Sequence, residues 1–287
     1  MRMKEKKYKL KFKELRGQIA QHKSVFVVYV VLRLLVILAM VISFLSGNYE
    51  NLFLCGLSLI LFLVPAFIQS NFGIELPSTL EILILLFIFA AEILGEMESF
   101  YIKYAFWDTM LHTINGFLMA AIGFALIDIL NNSPKFHFNM SPIFVAFVAF
   151  CFSMTVGVVW EFFEFFMDYF TLTDMQKDRM LTDISSVLLN PTGLNDEIVI
   201  KGIESTTLHL SDGSTYTIQG GYLELGVVDT MKDLFVNLIG AIVFSVIGYF
   251  YIIGRNNGVF AKKFIPQLKV KETATDSNEE KETALKT

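Results

Sequence analysis

Long apolar runs separated by short polar breaks dominate the chain. Six of them, at about 25–46, 51–69, 78–95, 106–130, 142–170 and 227–253, reach the roughly 17–25 residues that an α-helix needs to cross hydrocarbon. Because no Gly/Pro cluster interrupts them, helices are favoured over barrel strands. The expected fold is an all-α polytopic membrane protein, a six-helix transmembrane bundle. Between the fifth and sixth runs the composition changes abruptly over residues 171–226, which reads as a small insertion. Its first part, "TDMQKDRMLTDISSVLLNP", is charged with spaced apolar residues and predicts a short surface helix stopped at Asn190-Pro191. The second part, "EIVIKGIESTTLHLSDGSTYTIQGGYLEL", has β-branched runs broken at Ser211-Asp212-Gly213-Ser214 and Gly220-Gly221, which predicts β-hairpins.

Composition agrees with the pattern. Of 287 residues 54% are hydrophobic, 29 are Phe, and the mean hydropathy of +0.56 is far above that of a soluble domain of this size. Charge adds a direction. Arg2, Lys4, Lys6, Lys7, Lys9, Lys11, Lys13, Arg16 and Lys23 precede the first span and place the N-terminus (1–24) in the cytoplasm under the positive-inside rule. The run that follows is long enough to anchor and does not end in a small-residue cleavage site, so it is not read as a signal peptide. Six spans return the C-terminal segment 254–287 to the same side, where Arg255, Lys262, Lys263, Lys269 and Lys271 agree, and the insertion then lies outside the cytoplasm. From about 266 onward the tail lacks apolar periodicity and is expected to be disordered. The net charge of −5 says little about partners, since the basic residues gather at the two ends, suited to anionic lipid headgroups rather than to nucleic acid. Cys55 and Cys151 lie inside apolar runs and read as small buried hydrophobes, not as a disulfide or a metal site.

The chemistry sits in polar residues that interrupt the last three spans. Asp108, His112 and Asn115 are spaced four and three apart and share one face of the fourth helix. Trp160, Glu161, Glu164 and Asp168 form a comparable stripe on the fifth. Asp229, Lys232, Asp233, Asn237 and Gly240 head the sixth. The fourth and sixth helices begin outside while the fifth ends there, so the three stripes are expected to meet in the outer leaflet. At about 1.5 Å per residue Glu161 is roughly 13 Å in from the outer end of its helix, a depth comparable with Asn115 and Asn237. Glu92 and Glu96, near the outer end of the third helix, are within reach of the same region; in the inner leaflet Asp128 stands nearly alone.

Burying several carboxylates at membrane depth costs at least a few kcal/mol each, so such groups face a cavity or a compensating charge. His112, Lys232, a shared proton or a divalent cation can supply it. A mixed Asp/Glu/His set suits Mg²⁺ or Mn²⁺, or Zn²⁺ where His112 ligates. The expected ligands are Asp108, His112, Glu161, Asp229 and Asp233; the expected catalytic groups are Glu161, Glu164 and His112; Asn115, Trp160, Asn237 and Lys232 bind substrate or support. Plainer roles stay open beside these. Asp108 and Asp229 can cap helix N-termini, Asn115, Asn237, Gly116 and Gly240 can serve helix packing, His112 can be a satisfied core histidine, and Asp168 can be interfacial. The Phe-rich "EFFEFFMDYF" reads as lipid-facing. A short echo, "DTM" at 108 and at 229, heads two helices that run in the same direction.

At these residues the sequence resembles the YjdF-like family of bacterial inner-membrane proteins, over about 78–253, through "WDTMLHTINGF", "WEFFEFF" and "GYLELGVVDTMKDLFVNLIGA". That resemblance implies a polytopic membrane protein of a family without an assigned reaction. A looser likeness to the VanZ-like pattern, Asp-x3-His, a glutamate on the next helix and Asp233-x3-Asn237, points toward envelope biology. The leading expectation is a site, open to the outer leaflet, that holds a cation and acts on a lipid or lipid-linked substrate. The alternatives are a proton- or cation-coupled transporter and a noncatalytic envelope-stress or scaffold protein.

The topology is checked with single cysteines at Ser214 and Asn257. An impermeant thiol reagent applied to intact cells should label the first and spare the second; labelling at Asn257 alone would reverse the orientation.

Overall fold

The computed structural model describes residues 23–71, 74–131, 140–254 and 261–268. Six helices in it are long and apolar enough to cross a membrane: Lys23–Leu45, Tyr49–Asn71, Ser78–Met97, Trp107–Asn131, Pro142–Thr171 and Val227–Ile253. The first is α1. The second is divided into α2 (Tyr49–Leu61) and α3 (Val64–Asn71). Pro65 accounts for the break, because proline cannot donate to the preceding turn but fits the first turn of a new helix. The third begins as α4 (Ser78–Phe89) and continues without interruption as a π-helix over Ala90–Met97. A one-turn α5 (Phe100–Lys103) leads into α6 (Trp107–Asn131), α7 (Pro142–Thr171) and α8 (Val227–Ile253).

Local chemistry explains the helix starts. Ser141 caps α7 by accepting from the Phe144 N–H, with Pro142 just inside. At α8 neither aspartate is the cap. Glu224 accepts from the N–H groups of Val227 (2.7 Å) and Val228 (3.3 Å), and Gly226 turns the chain at φ 76°. A carboxylate just ahead of the helix meets its free donors and leaves Asp229 for other partners.

Two apolar cores form. Leu32, Val36, Cys55, Phe62, Leu85, Ile88 and Ile93 join α1, α2, α4 and the π-helix. The other core lies among α6, α7 and α8, where Leu118, Ala121, Phe124, Val145, Ala149, Ala241 and Phe244 are buried. Helix α8 runs parallel to α6, since Phe117 meets Phe244 and Phe124 meets both Phe244 and Tyr251. α7 runs antiparallel to them: Ser153 reaches Gly116 while Gly123 lies against Phe152. Cys55 and Cys151 are both free thiols.

The insertion consists of antiparallel pairs: β2 (Arg179–Leu181) with β7 (Tyr222–Glu224), β3 (Ile184–Ser186) with β4 (Ile198–Ile200), and β5 (Ser205–His209) with β6 (Thr215–Gln219). The surface helix expected over 173–190 is not formed. That stretch supplies β2 and β3, and only a 3-10 turn at Val187–Leu189 remains helical, ending before Asn190. Pairing with distant strands overrides the local helical pattern. The C-terminal segment also departs from expectation. Phe264 and Ile265 enter the α6–α8 core, with the Phe264 ring 5.2 Å from that of Phe117, and β8 (Gln267–Leu268) pairs with β1 (Ile74–Glu75). The basic residues 1–22 and the tail beyond 268 fall outside the described residues.

The tightest packing joins α6 to α8. A Cβ at Gly116 would fall inside the backbone carbonyl of Asn237, and one at Gly240 inside that of Thr113. Gly116→Ala should therefore lower thermal stability in detergent by about 1–3 kcal/mol, the range for overpacking. Gly56→Ala, where nothing lies within 4 Å of the added carbon, should be neutral or mildly stabilising. Equal stabilities for the two variants would contradict this packing.

Candidate functional site

The helix crossing sets the site in layers. At its base Asn237 is fully buried. The Asn115 amide donates to Asn237 Oδ1 (3.1 Å), the Asn237 amide lies 3.6 Å from Met154 Sδ, and the Ser153 hydroxyl donates to the Gly116 carbonyl (2.7 Å). Gly157 leaves room for the Asn237 side chain. These contacts give Asn115, Asn237, Gly116 and Gly240 the packing role that polar and small residues fill between membrane helices.

One turn along, toward the ends where α6 and α8 begin, the acidic groups converge. His112 from α6 stands between two carboxylates. Its Nε2 is 3.4 Å from Asp108 Oδ1 and its Nδ1 is 3.6 Å from Glu161 Oε1 on α7. Glu164, one turn further along α7, accepts from the Trp160 indole N–H at 2.8 Å. Lys232 of α8 lies 3.2 Å from Asp108 Oδ2, 2.9 Å from Asp229 Oδ1 and 3.3 Å from Asp233 Oδ1. Asp108 and Asp229, the two "DTM" aspartates, thus share one ammonium. Asp229 is not the cap of α8, since Glu224 fills that role.

Burial makes this arrangement costly. Glu161 is 4% exposed and neither of its oxygens has a hydrogen-bond partner among the described residues; Asp233 is 1% exposed and its Oδ1, though 3.3 Å from Lys232 Nζ, has none among them either. Unpaired buried carboxylate oxygens are uncommon because desolvation is not repaid. Among the described residues the cationic side chains that pair with Asp108, Asp229, Asp233 or Glu161 are Lys232, the more distant Arg179, whose Nη2 is 3.8 Å from Asp229, and His112 when protonated. The cluster holds more carboxylates than cationic side chains. Among the described residues two groups have ligand atoms that all lie within 4.8 Å of one another, Asp108/His112/Asp233 and His112/Glu161/Glu164. Both fall within the spacing at which a cation can be chelated, and His112 belongs to both.

The start of the insertion folds over the site. Asp168, at the end of α7, accepts from the Thr173 hydroxyl and from the N–H groups of Met175 and Gln176 at 2.7–2.8 Å, so it fastens this loop and takes no part in the cluster. The Gln176 amide donates to the Thr230 hydroxyl (2.5 Å), and the Lys177 N–H donates to Asp229 Oδ2 (3.0 Å). Gln176, Arg179 and Thr230 were not legible as site residues, because in a polar insertion a single Gln or Arg carries no pattern.

Glu92 and Glu96 ride on the π-helix and are in neither ligand group. The Trp107 indole donates to the Ala90 carbonyl of that helix (3.3 Å), a link between it and α6. Tyr101 packs its ring on Gly95, and burial pushes its hydroxyl well above the usual tyrosine range, with Glu96, Asp108, Glu92 and Glu164 adding to the effect. Tyr101 is thus a neighbour of the acidic end that spacing along a helix did not reveal. Phe162, Phe163, Phe165, Phe166, Tyr169 and Phe170 are all exposed, the disposition of a lipid-facing aromatic stripe.

No curated protein and no solved structure matches the chain. A family model described as "Predicted membrane protein (DUF2238)", which is the YjdF family, matches residues 28–254. The match takes in all six spans rather than only the last four, along with the insertion and every residue of the acidic cluster, and the chain belongs to this family of predicted membrane proteins.

Proposed function

We propose that the protein binds a divalent cation through Glu161, Glu164 and His112 and acts there on a lipid or lipid-linked substrate. The observation that carries this reading is the Glu161 carboxylate, buried, unpartnered and 3.6 Å from a ring nitrogen of His112. A divalent cation would offset much of the excess negative charge and fill the open valences of Glu161. Around the three ligands the second layer is already in place. Asp108, 3.4 Å from Nε2 of His112, would hold the ring with Nδ1 toward the cation, and the Trp160 indole N–H donates to Glu164. A cation held there would polarise a carbonyl or phosphoryl oxygen and lower the pKa of water. Glu164 is placed to take or give the proton.

Access from the bilayer is supported by Trp160, which is 44% exposed with its ring 5.3 Å from the exposed Phe163, while its indole touches Glu164 inside. The VanZ-like spacing, Asp108-x3-His112, a glutamate on the next helix and Asp233-x3-Asn237, includes His112 and favours an envelope lipid as the first class to assay. The basic residues flanking the first span favour cytoplasmic termini in a bacterial cell membrane, with the site in the outer leaflet and the insertion above it. A transporter needs a second access route. The other half of the α6–α8 unit is filled by Phe117, Phe124, Phe244, Tyr251 and Phe264, which favours a site entered from one end.

Two variants at Glu161 test the reading. Glu161→Gln keeps shape and hydrogen-bonding capacity but removes the charge, so elemental analysis should show at least about a tenfold loss of bound metal relative to wild type, with thermal stability nearly unchanged. Glu161→Leu removes the polar cost and should hold or raise stability, as packed replacements of buried charges often do. Wild-type protein without stoichiometric metal, together with a stable Gln variant and an unstable Leu variant, would favour a purely structural cluster.

A further inference from the structure

Among the described residues Lys232 is the one basic side chain whose nitrogen lies within 4 Å of three carboxylates of the cluster. Its ammonium lies 2.9–3.3 Å from Asp229, Asp108 and Asp233, whose side chains are 5%, 19% and 2% exposed, and the Lys232 side chain is about one-quarter exposed. These oxygens come from two helices, α6 and α8, and the buried Asp233 Oδ1 aims into the same space with no hydrogen bond of its own. Three carboxylate oxygens around one point make a hard-cation cage. Here the point is taken by an amine of the same chain.

The neighbouring set, His112/Glu161/Glu164, has no such side chain within it. The Glu161 carboxylate lies beside the His112 ring, and Glu164 accepts from the Trp160 indole; no lysine or arginine among the described residues makes an ion pair with either. The two groups share His112, but a neutral imidazole has a single lone pair. Asp108 faces Lys232 with one oxygen and Nε2 of His112 with the other, so the ring turns Nδ1 toward Glu161.

We infer that Lys232 is the built-in second cation of a two-cation centre: its ammonium occupies the Asp108/Asp229/Asp233 cage, limits the protein to one exchangeable divalent cation, and positions His112 through Asp108. Lys232 is a positioning residue in this scheme. The inference rests on the proposed Glu161/Glu164/His112 site for its count of one, but its sign does not, since a neutral residue at 232 must vacate the cage whatever the other site holds.

The test counts Mn²⁺ sites on the purified full chain in detergent. Wild type should bind one Mn²⁺ and Lys232→Gln two. Lys232→Arg, which keeps the charge, should restore the count of one, a rescue that a merely structural role would not link to metal number. Thermal stability of Lys232→Gln should rise with Mn²⁺ concentration more steeply than that of wild type, because binding to the folded form stabilises it. A count of none in wild type and one in Lys232→Gln would uphold the cage while removing the Glu161/Glu164/His112 site. A count of one in both, two in wild type, none in both, or a Lys232→Gln protein that fails to fold even with Mn²⁺ present would overturn the inference.

Discussion

The backbone contact between α6 and α8 governs the polar end of the bundle. Gly116 lies on the Asn237 carbonyl and Gly240 on the Thr113 carbonyl, so the two parallel helices meet without intervening side chains. Gly157 admits the Asn237 amide from α7. This approach brings Asp108 and Asp229 to one lysine and places the Glu161 carboxylate against His112. A single methyl group at either α6–α8 contact would push the helices apart. The small residues therefore serve the charged ones.

What opposes that approach is electrostatic. Carboxylates this close repel one another, and in a medium of low dielectric the repulsion is far larger than in water. The structure answers part of it with Lys232 and Arg179, and fastens the loop over the site through Asp168 and Asp229. It leaves the Glu161 oxygens unanswered. A protein selected for stability alone would have a hydrophobe there, since replacing buried charge by packed apolar volume is commonly neutral or favourable. Retaining the carboxylates is the physical argument on which the proposed cation site rests.

Much of this was legible in the sequence because hydrocarbon imposes one period. All six spans follow from apolar run length, and the stripes on α6, α7 and α8 follow from spacings of three and four, which is why the sequence led us to expect Asp108, His112, Glu161, Glu164 and Asp233 close together. Features that depend on contacts between distant segments were not. The π-helical continuation of α4, the pairing of Arg179–Leu181 with Tyr222–Glu224 in place of a surface helix, and the return of Phe264 and Ile265 into the core leave no local periodicity to read. Asp229 shows both cases. Its place on the stripe was evident, but its work in holding Lys177 and Arg179 came only from the fold, and the capping role open to it belongs to Glu224.

The central claim is that His112 and the α7 glutamates hold one cation. Electron–nuclear double resonance on Mn²⁺-loaded protein labelled with ¹⁵N-histidine addresses it directly, since a nitrogen bonded to manganese gives a hyperfine coupling that a distant ring does not. The account predicts one directly bound nitrogen, lost in His112→Gln and kept when any of the chain's other histidines is replaced; the sequence holds four in all. Bound manganese without nitrogen coupling, or coupling that survives His112→Gln, would contradict it.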